Sequence, residues 1–324
     1  MNLFSSPEFL RAIADTYFKG HSATVEDVRV GSEVLRLLVV DDKDVITKIR
    51  FLDYHVPITG EPLRGTARKV ASAPFVERGV VEQAEWERGL QTDFLPAPYL
   101  DWSLFPTFDD YRKFIKQRKK DSVRKLERLR RRMEEKFGGL QFCVNDERSD
   151  VLEFARRWKS QQLRATGESD FFAGPKTTEF FELLRTRGLL TSSTLRTADG
   201  QLLSVWLGAI HENVWSGWIF TYDHTPEIAY FSPGHQLVQM MLEESHRLGH
   251  REFDFSIGSN EYKWMYATHV RLLGWLGQPP LAQWMLDRAR RQAKKYISEH
   301  PALRHVAYSV KRIALSFAGL IGAA

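Results

Sequence analysis

A single cysteine, Cys143, in 324 residues leaves no partner for an internal disulfide, so an oxidised scaffold is excluded and a reducing cytoplasm is the expected setting. Cys143 sits in the alternating run Leu140-Gln141-Phe142-Cys143-Val144, which marks it as a strand residue filling a core rather than a nucleophile. The ten histidines show no HxxxH or HxH spacing with acids nearby, and no metal site is expected. Long apolar runs are missing as well: no segment reaches about 18 consecutive apolar residues, so a membrane span is not expected. The opening Met1-Asn2-Leu3-Phe4-Ser5-Ser6-Pro7-Glu8 lacks the basic-then-apolar order of an export signal. With 43% hydrophobic and 27% charged residues, disorder is not the default, and the length suits two domains of ordinary size.

What the chain does have is charge concentrated in one place. Residues 112–132 hold twelve Lys and Arg against Asp121 and Glu127, so this stretch exceeds the whole chain's net charge of +5 and the remainder is slightly acidic. Thr107-Phe108-Asp109-Asp110 supplies an N-cap, Thr107, with Asp110 at the capping-box position. The expected helix runs through the basic stretch to Phe137, where Gly138-Gly139 stops it. It would be about 28 residues and roughly 42 Å long. Tyr111, Phe114, Ile115, Val123, Leu126, Leu129 and Met133 form a stripe along it, so the charges occupy the other faces.

Before this helix, the pattern predicts a helix over residues 7–18 and strands over 24–30, 33–40 and 45–51 in a meander. A proline-punctuated stretch follows, with one helix around 80–89, and the run 93–101 closes a first lobe. After it come a strand at 140–144, helices at 149–164 and 177–187, and antiparallel strands at 189–196, 202–211 and 214–222, with an Asp199-Gly200 turn. Ser232-Pro233-Gly234 opens a helix ending near Leu248, with Gly249 as its C-cap. A last strand is expected at 271–276. The tail from Leu281 is basic and amphipathic and ends in twelve apolar or small residues, too few to span a bilayer but enough to lie on one or pack on a partner.

Residues 251–263, Arg-Glu-Phe-Asp-Phe-Ser-Ile-Gly-Ser-Asn-Glu-Tyr-Lys, are the chemical focus. Phe253 and Phe255 alternate around Asp254 as in a strand, Gly258-Ser259-Asn260 breaks the chain, and Tyr262 and Lys263 stand at the following helix start. Asp254 is a base, a substrate anchor, or a buried partner of Lys263 or Arg251.

Taken together, Tyr222-Asp223, Tyr230-Phe231-Ser232-Pro233-Gly234, Gly249, Phe253-Asp254-Phe255, Gly258 and Tyr262-Lys263 resemble the GNAT-superfamily N-acyltransferases linked to cellulose and exopolysaccharide biosynthesis, relatives of the Fem peptidyl transferases. The resemblance is strongest over residues 109–267. It implies an α+β fold with a mixed sheet, built as two GNAT-like lobes joined by the long basic helix. The lobes would be residues 1–106 and 107–280, with residues 281–324 as a tail.

The resemblance also implies roles. The donor's pyrophosphate would sit at the helix start formed by Ser232, Pro233, Gly234, His235 and Gln236, where unpaired N–H groups and the dipole favour anions, with Gly234 allowing close backbone approach. Lys263 matches the lysine of the Fem-type motif, expected to meet the developing oxyanion, a contribution of roughly 3 kcal/mol. Asp254 and Tyr262 complete the catalytic candidates. Asp223, Tyr222 and Trp218 are candidates for substrate binding, and Trp215, Trp218 and Tyr222 are mainly core by alternation. Where the usual loop has a run of glycines this chain has one, so the donor is acyl-CoA (acetyl-CoA) or, as in the Fem relatives, aminoacyl-tRNA. The acceptor implied is an amine or hydroxyl of a cell-envelope or exopolysaccharide precursor. Two other classes compete: a nucleic-acid-binding protein using the basic helix, for which transfer RNA fits and DNA does not, and a non-catalytic scaffold of a polysaccharide synthase held at the inner face of the membrane by its tail.

Overall fold

The computed structural model describes residues 3–30, 33–44, 70–78, 95–168, 170–258 and 260–276, together with Met285, Ala289, Gln292, Ala293 and Tyr296. The strand expected at 45–51, the helix at 80–89 and the apolar end of the tail lie outside these residues.

A small antiparallel sheet, β1 (Ala23–Val30), β2 (Glu33–Val40) and β3 (Lys43–Asp44), stands beside an eight-stranded mixed sheet. The large sheet runs β4 (Val70–Arg78), β11 (His269–Leu276), β5 (Leu95–Asp101), β10 (Glu252–Asp254), β9 (Val214–Tyr222), β8 (Leu202–His211), β7 (Thr191–Thr197) and β6 (Leu140–Cys143). This is the α+β class with a mixed sheet that the sequence implies. Two of its strands, β4 and β5, come from before residue 107, so the sheet crosses the boundary expected between the two lobes.

Helices cover both faces. On one, α1 (Pro7–Tyr17), β2, α3 (Asp150–Ala165) and α4 (Pro175–Thr186) share a core with Val205, Leu207, Ala209 and Ile219 of the sheet. On the other, α2 (Phe108–Phe137), α6 (Pro233–Arg247) and α7 (Glu261–Tyr266) pack on Leu203, Trp206, Trp215, Phe253 and Phe255. The short helix α5 (Pro226–Ala229) joins β9 to α6. Alternate side chains of a strand point to opposite faces, which is how β8 serves both cores. Its parity is reset at a register shift where Leu195 faces Ser204 and Arg196 faces Leu202, as a bulge does.

The long basic helix departs from expectation. Thr107 accepts from the Asp110 N–H and donates to its carboxylate, and Gly138 ends the helix at φ 68°, as the caps foretell. Between them, however, Lys119 has non-helical φ −138° and ψ 48°. The ammonium of Lys116 lies 2.9 Å from Glu127, and Arg112 lies 3.6 Å from the same carboxylate. Residues eleven apart in a straight helix are separated by roughly 16 Å along the axis, so α2 is bent back on itself and is not a 42 Å rod. Bending lets Tyr111 and Ile115 of the first half and Val123, Leu126, Leu129 and Met133 of the second all be buried, which a single stripe on a rod could not deliver to one compact core.

Candidate active site

Among the described strands, β9 and β10 form the parallel pair of the large sheet, and their ladder lasts three residues: Glu252, Phe253 and Asp254 face Val214, Trp215 and Ser216. Beyond it β9 continues to Tyr222 along β8, while β10 stops and Ser256 turns at φ 59°. The Ser256 hydroxyl donates to the Gly217 carbonyl, closing the base of the gap. A cleft opens where the strands part, walled by α3 on one side and by the starts of α6 and α7 on the other.

The cleft has two chambers. One, about 220 Å³, is lined by Lys159, Gln162, Trp206, Trp218, Ser256, Lys263 and neighbouring residues. The other, about 240 Å³, is lined by Tyr222, Ser232, Gly234, His235 and Val238 among others. Gln162, Phe220, Asn260 and Tyr262 line both, so the two chambers share a wall and the two helix starts lie side by side.

Lys263, in the first turn of α7, is 7% exposed. Its Nζ donates to the Ser256 carbonyl at 3.0 Å and the Ile257 carbonyl at 2.7 Å. Those carbonyls are presented by the break after β10, which is why the positive-φ residues Ser256 and Gly258 occur there. Tyr262 packs on Phe220 with ring centroids 5.4 Å apart, and burial pushes its phenol pKa well up, so it is a neutral wall and hydrogen-bond donor rather than a proton acceptor.

Ser232 caps α6 in the left-handed conformation, φ 54° and ψ 52°, without a side-chain cap bond, and Pro233 takes the first helical position. The first-turn N–H groups of Gly234 and His235 have no intrahelical acceptor by the geometry of a helix start, and the dipole makes this end attractive to an anion. The His235 Nδ1 lies 3.1 Å from the Tyr266 hydroxyl, and burial lowers the imidazole pKa, favouring the neutral ring.

Several expected site residues sit elsewhere. Asp254 lines neither chamber; it is 2% exposed, accepts from the Ser256 N–H at 2.8 Å and lies 3.8 Å from Arg271. Arg271 is thus a cationic neighbour of Asp254, while Arg251 bonds Glu252. Gln236 is fully buried and donates to the Leu126 carbonyl of α2, while its own N–H is taken by Ser232; it ties α6 to α2. Asp223 folds back to accept from the Thr225 N–H at 2.8 Å. Gly234 also makes room for a neighbour: a Cβ there would lie 2.4 Å from the Phe220 ring. Tyr222 lines the second chamber and packs on His224 at 4.2 Å with the rings tilted, and Trp218 lines the first while packing on Phe9 at 5.5 Å.

Lys159 and Gln162 were not foreseen. They continue the face of buried Ala155 at spacings of four and seven on α3, the periodicity that places a polar pair at the rim of a core. Among the described residues, no group of three or more His, Cys, Asp or Glu is placed to hold a metal ion, and no helix is long and apolar enough to cross a membrane.

Residues 120–264 match the acetyltransferase (GNAT) domain family, so the chain carries a GNAT-type acyltransferase domain. No curated protein matches it. Among solved structures it is similar to L-PGS from Bacillus licheniformis, with 11% identity and a TM-score of 0.46 over 90% of this chain and 98% of that one. It is also similar to FemX, with 11% identity and a TM-score of 0.49 over 85% and 91%. A spermidine N-acetyltransferase from Vibrio cholerae in complex with CoA and spermine matches at 15% identity and a TM-score of 0.26, over 33% of this chain and 63% of that one.

Proposed function

We propose that this GNAT-type acyltransferase moves an acyl group from acyl-CoA to an amine or hydroxyl of a cell-envelope or exopolysaccharide precursor. The observation that carries the reading is the shared wall of the two chambers, which sets the anion-attracting start of α6 beside the Lys263 ammonium. The donor's pyrophosphate would rest on the N–H groups of Gly234 and His235, with Ser232 and Pro233 fixing the entry of the chain. Its thioester would then reach past Tyr262 into the chamber of Lys263.

In that chamber the acceptor's lone pair attacks the thioester carbon, and charge gathers on the carbonyl oxygen, where Lys263 meets it. The C–S bond then breaks, and the acceptor's proton ends on the leaving thiol. Trp218 offers a flat surface on which a sugar ring can rest, and Tyr222 lines the donor's chamber. Asp254, Gln236 and Asp223 support this arrangement from behind: Asp254 fixes the turn that presents carbonyls to Lys263, Gln236 fixes the start of α6, and Asp223 fixes the exit from β9.

Hydrogen exchange on the whole protein with and without coenzyme A tests the seat. Exchange at Gly234 and His235 is expected to slow with the ligand and to be unchanged by adenosine alone. If aminoacyl-tRNA protects these amides and coenzyme A does not, the donor is the aminoacyl ester; if neither does, the reading fails.

A further inference from the structure

Among the described residues, no Asp or Glu lines either chamber of the cleft. The chamber where acyl transfer is placed holds two lysines, Lys159 and Lys263, and two indoles, Trp206 and Trp218. A cavity rich in donors and cations and without a carboxylate is complementary to an anion.

Lys159 is the residue whose position turns this into a selection rule. Its Nζ reaches two uncharged oxygens, the Gln162 Oε1 at 3.1 Å and the Phe220 carbonyl at 3.3 Å. Burial lowers its pKa, and the acid that opposes this is Glu168, which lies outside the cleft lining. An ammonium so placed lacks a counter-ion at contact distance within the chamber, and a buried cation in that state gains most from a ligand that brings a negative charge.

The donor's phosphates, on the reading above, occupy the other chamber. We propose that Lys159 sets the charge of the acceptor: the cleft admits a sugar bearing a phosphate or carboxylate and rejects a cationic amine chain. The proposal rests on the acyltransferase reading for the identity of the chamber as the acceptor's. A second positive charge entering beside Lys159 meets a like charge in a partly desolvated space, whereas a phosphate or carboxylate meets an opposite one.

The test uses the intrinsic fluorescence of the full-length protein, since Trp206 and Trp218 line the chamber. Glucose 6-phosphate, glucose and glucosamine are titrated at constant ionic strength, together with coenzyme A as the donor probe. Glucose 6-phosphate is expected to bind about tenfold or more tightly than glucosamine, with glucose between them. Lys159→Gln removes that preference, Lys159→Glu reverses it, and coenzyme A affinity stays within about twofold in Lys159→Gln, as a contact confined to the acceptor chamber requires. Unchanged melting temperatures confirm that the variants fold; if Lys159→Glu does not, the Lys159→Gln comparison stands alone.

Equal or tighter binding of glucosamine by the wild-type protein overturns the proposal. So does the absence of binding by all three sugars, or loss of coenzyme A affinity in Lys159→Gln with the sugar preference intact. Failure of coenzyme A to bind the wild-type protein strikes the acyl-CoA reading and leaves the charge preference to be judged on the sugars.

Discussion

Gly234 shows how a residue can be conspicuous in a sequence for one reason and present in the fold for another. In the sequence it marks a helix start that attracts anions; in the structure its bare Cα makes room for the Phe220 ring. Phe220 in turn lines both chambers, so the glycine shapes the cleft through its neighbour. Gly234→Ala is expected to lower stability by about 1–3 kcal/mol, the usual cost of overpacking. Gly234→Ala combined with Phe220→Leu should recover part of that loss, and thermal melts of the two variants check it. Gly217 plays a similar part, since a Cβ there would fall 2.0 Å from the Trp206 indole.

At this scale the sequence shows Lys263, Tyr262 and the 232–235 turn, because a break after a strand and a Ser-Pro-Gly helix start are local signals. Lys159 was hidden, since nothing in a 16-residue amphipathic helix reveals which rim residue will overhang a gap between two strands far along the chain. Asp254 shows the converse: an acid between two phenylalanines looks poised for chemistry, and Arg271, 3.8 Å from it in the fold, comes seventeen residues later on another strand.

Among the elements, β5 is the least expected. Leu95-Pro96-Ala97-Pro98-Tyr99-Leu100-Asp101 carries two prolines, which argue against a strand inside a sheet, yet it lies between β11 and β10. The pairing explains the tolerance. The Phe255 and Gly258 N–H groups donate to the Pro98 and Pro96 carbonyls, so these two residues face the β10 side, and they do so past Asp254, where β10 ends. A missing donor there deprives no ladder partner. Ala97 faces β11 opposite Arg271 and is fully buried. Ala97→Pro should therefore cost about 1–3 kcal/mol by stranding a buried acceptor, while Pro98→Ala changes stability by about 1 kcal/mol or less; denaturant midpoints of the two variants distinguish the cases.

The bend of α2 belongs to the same class of effect. Its caps were legible because they are local, whereas the bend at Lys119 is set by burial of both halves against α6 and α7 and by Glu127 reaching Lys116 and Arg112, contacts that close only in the folded chain.

Over the whole molecule, the described elements that precede residue 107 are woven into the domain that follows them. Phe4 and Phe9 pack on Trp218, Phe9 also packs on Phe180, and β5 holds β10 and β11 in the sheet. Removal of residues 1–106 is expected to leave a chain that does not unfold cooperatively and exposes the apolar face of α3 and α4, seen as dye binding and a lost thermal transition. A cooperative melt of the shortened chain would instead establish that residues 107–324 fold on their own. The sequence showed the number and type of most described elements because their periodicities are local; it did not show that one sheet would collect strands from both sides of the basic helix, since strand order is decided by pairing across long separations.

The central claim is that Lys263 acts on the reacting carbonyl within a cleft whose donor seat is built separately by the start of α6. Single-turnover acyl transfer by wild-type and Lys263→Ala protein, with donor affinity measured on the same samples, tests it most directly. The account predicts a rate about 100- to 1000-fold lower in the variant with donor binding retained. Wild-type rates in a folded Lys263→Ala protein would contradict it.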